Sequence, residues 1–382
     1  MEIYFLSLGM LLLGALLSVV VKEHWKFKVC SIFSFLSAGL MLLPAAAVLL
    51  TGVPLVKTVY LSPICGNVDF VIDPLSAFFV IVISLMSFLG TVYANGYMKP
   101  YLDKGMNVSS HCFFLMMLIA SMLMVVTVQN ALFFLIVWEV MSLSSFFLVI
   151  FEGEKKEVIK AGVKYLVYMH FSVLFILAAF VMLNLHSGSM NFADFAAYAH
   201  QGDKFASLIF MLAFIGFGIK AGFVPFHNWL PDAHPAAPSH VSAVMSGVMI
   251  KTGLYGILRV LFMLGTPTKC VAYVVFVVAL VTALYGILYA LAQRDLKKLL
   301  AYSSIENIGI IGLGIGLGMI GLAYENPLVA MLGFAGGILH ILNHSIFKEL
   351  MFFGAGSVYN RTHTRDMEVL GGLIKKMPKT AF

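Results

Sequence analysis

The chain has 382 residues, of which 61% are hydrophobic and only 11% are charged, against about 25% charged in a typical soluble domain. That composition excludes a water-soluble enzyme and describes an integral membrane protein. The net charge of +6 then reports on loop topology, because basic residues collect in cytoplasmic loops, and it requires no nucleic-acid partner.

A membrane span takes about 20 consecutive apolar residues. Such runs fall at residues 2–21, 29–51, 74–98, 110–127, 131–151, 162–185, 204–224, 237–263, 270–292, 299–322 and 327–356. The reading is an all-α polytopic membrane protein of about eleven transmembrane helices, with short loops and no soluble domain. The first run has neither a basic leader nor a small-residue cleavage site, so it reads as a retained helix. Gln129 and Asn130 mark the turn between the fourth and fifth runs.

Loop charges test this count. One alternating set of loops carries Lys22, Lys26, Lys28, Lys99, Lys104, Lys155, Lys156, Lys160, Lys164, Arg294, Lys297, Lys298, Arg361, Arg365, Lys375, Lys376 and Lys379. The other carries only Lys57, Lys204, Arg259 and Lys269. Seventeen against four places the N-terminus outside and the segment after Gly356 inside in a multi-pass membrane protein. The sequons at Asn107 and Asn360 then face the cytoplasm and read as unglycosylated.

Cys30, Cys65, Cys112 and Cys270 lie far apart without a CxxC pair, so no zinc, iron-sulfur or other cofactor site is expected in this chain. Any redox chemistry belongs to partners.

Lys220, Lys251 and Lys348 lie inside predicted spans, and so does Glu139, between the apolar stretches 133–137 and 140–147. A charge at the bilayer centre costs at least about 2.5–3.5 kcal/mol on insertion scales, and such residues usually face a bundle interior and mark an ion or proton path. Glu349 reads as a local counter-charge to Lys348. In the seventh run Lys220 precedes Pro225, whose missing N–H leaves the Ala221 carbonyl without a helical partner. The helix should break there, as helices do around transporter ion sites; the competing reading is a plain helix end with a snorkelling lysine. His227, Asp232 and His234 follow at a spacing interrupted by proline, a poor pattern for a metal.

In the eleventh run His340, His344 and Lys348 recur at i, i+4 and i+8, one above the other on a helix face. Three proton-exchanging groups in a column suit a relay; histidine-mediated helix packing is the alternative. If Glu139 and Lys220 met at about 4 Å in an effective dielectric of about 20, the pair would be worth about 4 kcal/mol, and separating them would change proton affinity substantially. The glycines of Gly312–Gly318 have no preceding strand, so they read as a close helix contact rather than a nucleotide loop. Glu306 could cap the tenth helix or stand beside the path.

Four stretches carry a resemblance: WEVMSLS from Trp138, KAGFVPFHNWLPDAHPAAPSHVSAVMSGVMIKTG from Lys220, LKKLLAYSSIENIG from Leu296 and HILNHSIFKELMFFGAGSV from His340. They resemble the antiporter-like, proton-translocating membrane subunits shared by complex I, Mrp antiporters and membrane-bound hydrogenases. WEVMSLSSFFLV, AYSSIENIGI and YLVYMH look most like the hydrogenase-4 component B and formate hydrogenlyase branch. The resemblance implies an inverted-repeat fold with a broken seventh helix. Residues 1–109 would hold helices one to three, 110–263 the first five-helix repeat, and 264–382 part of a second repeat whose later helices are missing, as in a C-terminally truncated piece. It also implies a proton path in which Glu139 and Lys220 form the modulating pair, Lys251 is the central lysine, and His340, His344 and Lys348 make the connecting relay. Implied partners are other membrane-arm subunits, a peripheral redox arm, lipid and protons, with Na+ as an open alternative. The functional readings are a proton-translocating subunit of a hydrogenase or complex I-like oxidoreductase, not itself a redox catalyst; a sodium/proton antiporter subunit; or a non-conducting scaffold.

Overall fold

A computed structural model describes residues 1–103, 105–199 and 205–381. Lys104 and Lys204 of the charge tally, the first residue of the seventh run and the terminal Phe382 lie outside them.

The chain opens with α1 (Glu2–Val20) and α2 (Glu23–Thr51), followed by a hairpin of β1 (Leu55–Ser62) and β2 (Gly66–Ile72). Then come α3 (Pro74–Tyr97), the short α4 (Lys99–Asp103), α5 (Val108–Val125), α6 (Ala131–Val149), α7 (Lys156–Ser187) and α8 (Phe192–Ala199). The broken region consists of α9 (Ala206–Ala221), α10 (Leu230–Ala236) and α11 (Ser239–Val244), and a π turn (Met245–Met249) leads from α11 into α12 (Ile250–Leu264). The last long helices are α13 (Lys269–Leu291), α14 (Leu296–Ala323) and α15 (Pro327–Thr362). Among the described residues, ten helices are long and apolar enough to cross a membrane, and α9 is a shorter apolar helix of 16 residues. The eleven expected spans therefore all have a helical counterpart, and the seventh is the truncated one.

Helix starts follow the sequence chemistry. Asp73 accepts a hydrogen bond from the Ser76 N–H at 2.8 Å with Pro74 at the first helical position, and Asn326 and Pro327 do the same for α15. Side-chain oxygens satisfy N–H groups that the helix itself cannot. Asn130 caps α6 through the Phe133 N–H, which separates α5 from α6 at the expected turn.

The β-hairpin was not expected. β1 and β2 pair antiparallel from Leu55↔Ile72 to Ser62↔Gly66, and the Val71 N–H and the Asp69 carbonyl bond the backbone of Thr127 and Gln129. Its period-two alternation is hard to see because apolar side chains such as Val56, Tyr60 and Ile64 stand exposed on it. An all-α description holds for the membrane part and needs this correction outside it.

The glycines of Gly312–Gly318 lie in close helix contacts as expected, with a Cβ on Gly314 2.7 Å from the Gly337 α-carbon and one on Gly316 2.8 Å from the Phe276 α-carbon, and neighbouring glycines do the same. A Cβ on Gly309 would lie 2.3 Å from the Ala283 nitrogen, and one on Gly333 would lie 2.3 Å from the Gly318 nitrogen. Contacts of this kind bind α13 to α14 and α14 to α15. Gly309→Leu should therefore cost about 1–3 kcal/mol or more through overpacking. Thermal unfolding of the detergent-solubilised protein should show this as a lowered midpoint. Gly336→Leu, where a Cβ meets open space, should leave it in place.

Candidate functional site

Local backbone chemistry makes the break after Lys220. α9 stops at Ala221 because Gly222 adopts a left-handed conformation with φ of 93°, which L side chains avoid. Its bare α-carbon also makes room for Leu230, since a Cβ there would lie 2.3 Å from the leucine side chain. Pro225 is thus a second obstacle to the helix, and Gly222 is the first. The chain re-enters through α10, held by the Trp229 indole donating to the Ile219 carbonyl at 2.9 Å and by the Lys164–Asp232 ion pair at 2.8 Å.

Lys220 is fully buried. Its ammonium donates to the Tyr165 hydroxyl at 3.2 Å and to Ser142 Oγ at 3.4 Å, and it lies 5.7 Å from the centre of the Trp138 ring. The expected direct contact with Glu139 is not made. Trp138 and Ser142 of α6 face the lysine, while Glu139 lies one residue round that helix, with its carboxylate 4.0 Å from His170 Nε2 on α7. Glu139 and Lys220 remain in coulombic range, so they are coupled through space without direct contact.

From Lys220 the polar contacts continue inward. Tyr165 hydrogen-bonds Ser145 at 2.5 Å and approaches the Met249 sulfur, and Thr252 donates to the Met249 carbonyl at 2.7 Å. One residue earlier stands Lys251, also buried, with its ammonium on the carbonyl of Ser246. The π turn between these residues, which sequence reading missed, displaces a carbonyl from the regular ladder and aims it at the lysine. The expected column on α15 is present as well. His344 and Lys348 are buried, His340 is half-buried with its Nε2 2.9 Å from Asn307 Oδ1, and Lys348 donates to the Leu300 carbonyl at 3.2 Å. Lys251 lies within coulombic range of His340, His344 and Lys348. Of the six expected residues, Lys251, His340, His344 and Lys348 stand within coulombic reach as one group, while Glu139 and Lys220 form a second coupled pair that Tyr165 extends toward Met249 of the π turn. Glu306 accepts from Ser303 Oγ and stands within coulombic range of His340 and Lys348 of the α15 column.

Several groups were missed. His111 and His240 meet at 2.7 Å between their Nε2 atoms. Lys297, assigned to a loop, is buried with its ammonium 2.7 Å from the Ala237 carbonyl. Lys297 also lines a cavity of about 840 Å³ together with residues including Tyr101, Glu152, Lys155, Asp232 and Arg365. Four of the expected basic loops converge on this cavity, which places them at one end of the bundle. Burial raises the Glu152 carboxyl, but hydrogen bonds from Lys155 and Tyr101 outweigh it and hold the group below the usual carboxylate range. No sequence signal marks the His111–His240 and Lys297 contacts, because their partners lie 60 or more residues away. Among the described residues no cluster of three or more His, Cys, Asp or Glu could hold a metal.

Comparison with known proteins gives the family. Residues 128–382 match the family model described as NADH:quinone oxidoreductase/Mrp antiporter, TM, and residues 64–108 match the N-terminal model of complex I chain 5. The chain belongs to this antiporter-like membrane-subunit family. It is 46% identical over 312 residues to hydrogenase-4 component B of Escherichia coli K12, covering 81% of this chain and 46% of that protein. It is 47% identical over 170 residues to formate hydrogenlyase subunit 3 of the same organism, covering 44% of this chain and 28% of that one. The chain thus spans about half the length, or less, of these relatives. The structure of the membrane-bound sulfane sulfur reductase, an archaeal respiratory membrane complex, matches with a TM-score of 0.85 at 26% identity, over 98% of this chain and 60% of that one. The expected membership, its hydrogenase-4 and formate hydrogenlyase branch, and the antiporter-like membrane fold are thereby established.

Proposed function

We propose that this chain is a proton-translocating subunit in the membrane arm of a hydrogenase-4, formate hydrogenlyase or complex I-like oxidoreductase, coupling electron transfer in partner subunits to proton movement. The observation that carries this reading is the burial of Lys220, coupled to Glu139, and of Lys251, His344 and Lys348, grouped within coulombic reach of one another. Buried cations cost too much to serve as packing, whereas groups able to gain and lose protons can pass them in small free-energy steps. Protons load from the basic end, taken as cytoplasmic with the N-terminus outside, occupy Lys220 and Lys251, and pass along the His340 to Lys348 face. In this reading residues 1–109 precede the first antiporter-like repeat at 110–263, and 264–382 contribute α13–α15 to a second.

Glu139 modulates Lys220 by its charge. Glu139→Gln keeps shape and removes that charge, so coupled proton transport in inverted membrane vesicles bearing the assembled complex should fall about tenfold or more. A scaffold would be indifferent to the change. The family model also covers Mrp antiporters, and a sodium/proton antiporter would use the same residues. Dependence of the flux on sodium in the same vesicles separates the two.

A further inference from the structure

Glu349 follows Lys348 in sequence, yet its surroundings are those of Lys251. The side chain is buried, and neither carboxylate oxygen has a protein hydrogen-bond partner among the described residues. It lies between two glycines. A Cβ on Gly247 of the π turn would be 3.3 Å from Oε2, and one on Gly90 of α3 would be 3.5 Å from Oε1. The turn that holds Gly247 also presents the Ser246 carbonyl to the Lys251 ammonium, so carboxylate and ammonium flank the same turn within coulombic range. Three residues before Gly90, on the same face of α3, Ser87 carries a buried hydroxyl with no protein partner among the described residues.

A fixed counter-ion would close onto its cation, because a buried carboxylate is tolerated only when paired, hydrogen-bonded or protonated. This one has no ion-pair or hydrogen-bond partner among the described residues, and Gly247 leaves a gap beside its Oε2 where a Cβ would otherwise stand. We propose that Glu349 is a proton-exchanging residue of the path, the acceptor for the proton of Lys251 across the π turn. In that step the Lys251 ammonium becomes a neutral amine and the Glu349 carboxylate a carboxylic acid. The net charge of the pair is unchanged and no electron moves. The proposal rests on the proton-translocating reading above.

The test uses the assembled complex in inverted vesicles, with protons moved per electron transferred as readout. A positioned proton acceptor typically contributes about 100-fold or more to a transfer step. Glu349→Gln should therefore lower the ratio by about tenfold at least, and Glu349→Asp should restore part of it. Infrared difference spectra on turnover should lose a protonated-carboxyl band in the glutamine variant. Should that variant fail to assemble, Gly247→Ala reads the same step, since its methyl group fills the gap while both ionisable groups remain; a lowered ratio supports the proposal. A normal ratio and an unchanged infrared spectrum in Glu349→Gln, or a normal ratio in Gly247→Ala where that variant must stand in, overturn it if Lys220→Ala is inactive. If Lys220→Ala also transports normally, the underlying reading fails and takes this inference with it.

Discussion

Lys220→Ala should abolish proton movement coupled to turnover, by about 100-fold or more, while electron transfer within partner subunits continues in part. The residue is fully buried, its ammonium donates to the Tyr165 and Ser142 hydroxyls, and it lies over the Trp138 and Tyr165 rings. That setting supports a lysine that releases its proton. Lys220→Arg separates the two possible roles, because arginine keeps a charge but stays protonated at any physiological pH. If the lysine exchanges protons, the arginine variant should be as inactive as the alanine one. Full transport by Lys220→Arg, measured as acidification of inverted vesicles, would reduce Lys220 to a fixed charge.

The second large effect is on stability. Arg259 near the end of α12 forms a bidentate pair with Asp73 at 2.5 and 2.9 Å and adds Ser76 Oγ at 2.9 Å. It thereby ties α12 to the start of α3. Both side chains are largely buried, at 11% and 24% exposure. Arg259→Leu leaves the Asp73 carboxylate unpaired, and removing one member of a buried pair costs about 3–5 kcal/mol. The thermal midpoint of the solubilised protein should fall accordingly.

A pH series checks the cause. Burial raises the Asp73 carboxyl, but the Arg259 guanidinium and Ser76 outweigh it and hold the group below its ordinary value. A depressed folded-state pKa stabilises the protein fully above the unfolded value near pH 4, and the contribution disappears as pH falls through the folded value. The Arg259→Leu variant should lack this acid-side loss. If its midpoint follows pH as the parent's does, the pair is not the source.

How much of this was legible in the chain differs from residue to residue. The spans were readable because oil tolerates only continuous helices of apolar side chains, a property of each segment taken alone. The α15 column was readable too, since a helix converts the spacing of His340, His344 and Lys348 into one face whatever surrounds it. The halt after Lys220 was only half readable. Pro225 announces it, but Gly222 performs it, and a glycine's left-handed backbone is chosen by the Leu230 side chain packed over it.

Pairings across helices lay beyond the sequence. Composition and the placement of charges determined that this is a polytopic membrane protein with ionisable groups in its interior, because desolvation acts on each residue separately. Only the tertiary structure decided that Lys220 faces Tyr165 and Ser142 rather than Glu139, that Glu349 belongs with Lys251 rather than Lys348, and that His111 meets His240. Those partners lie 55 to 129 residues apart in the chain. Their geometry depends on rotations about each helix axis and on one π turn, and a shift of a single residue there moves a side chain by about 100°.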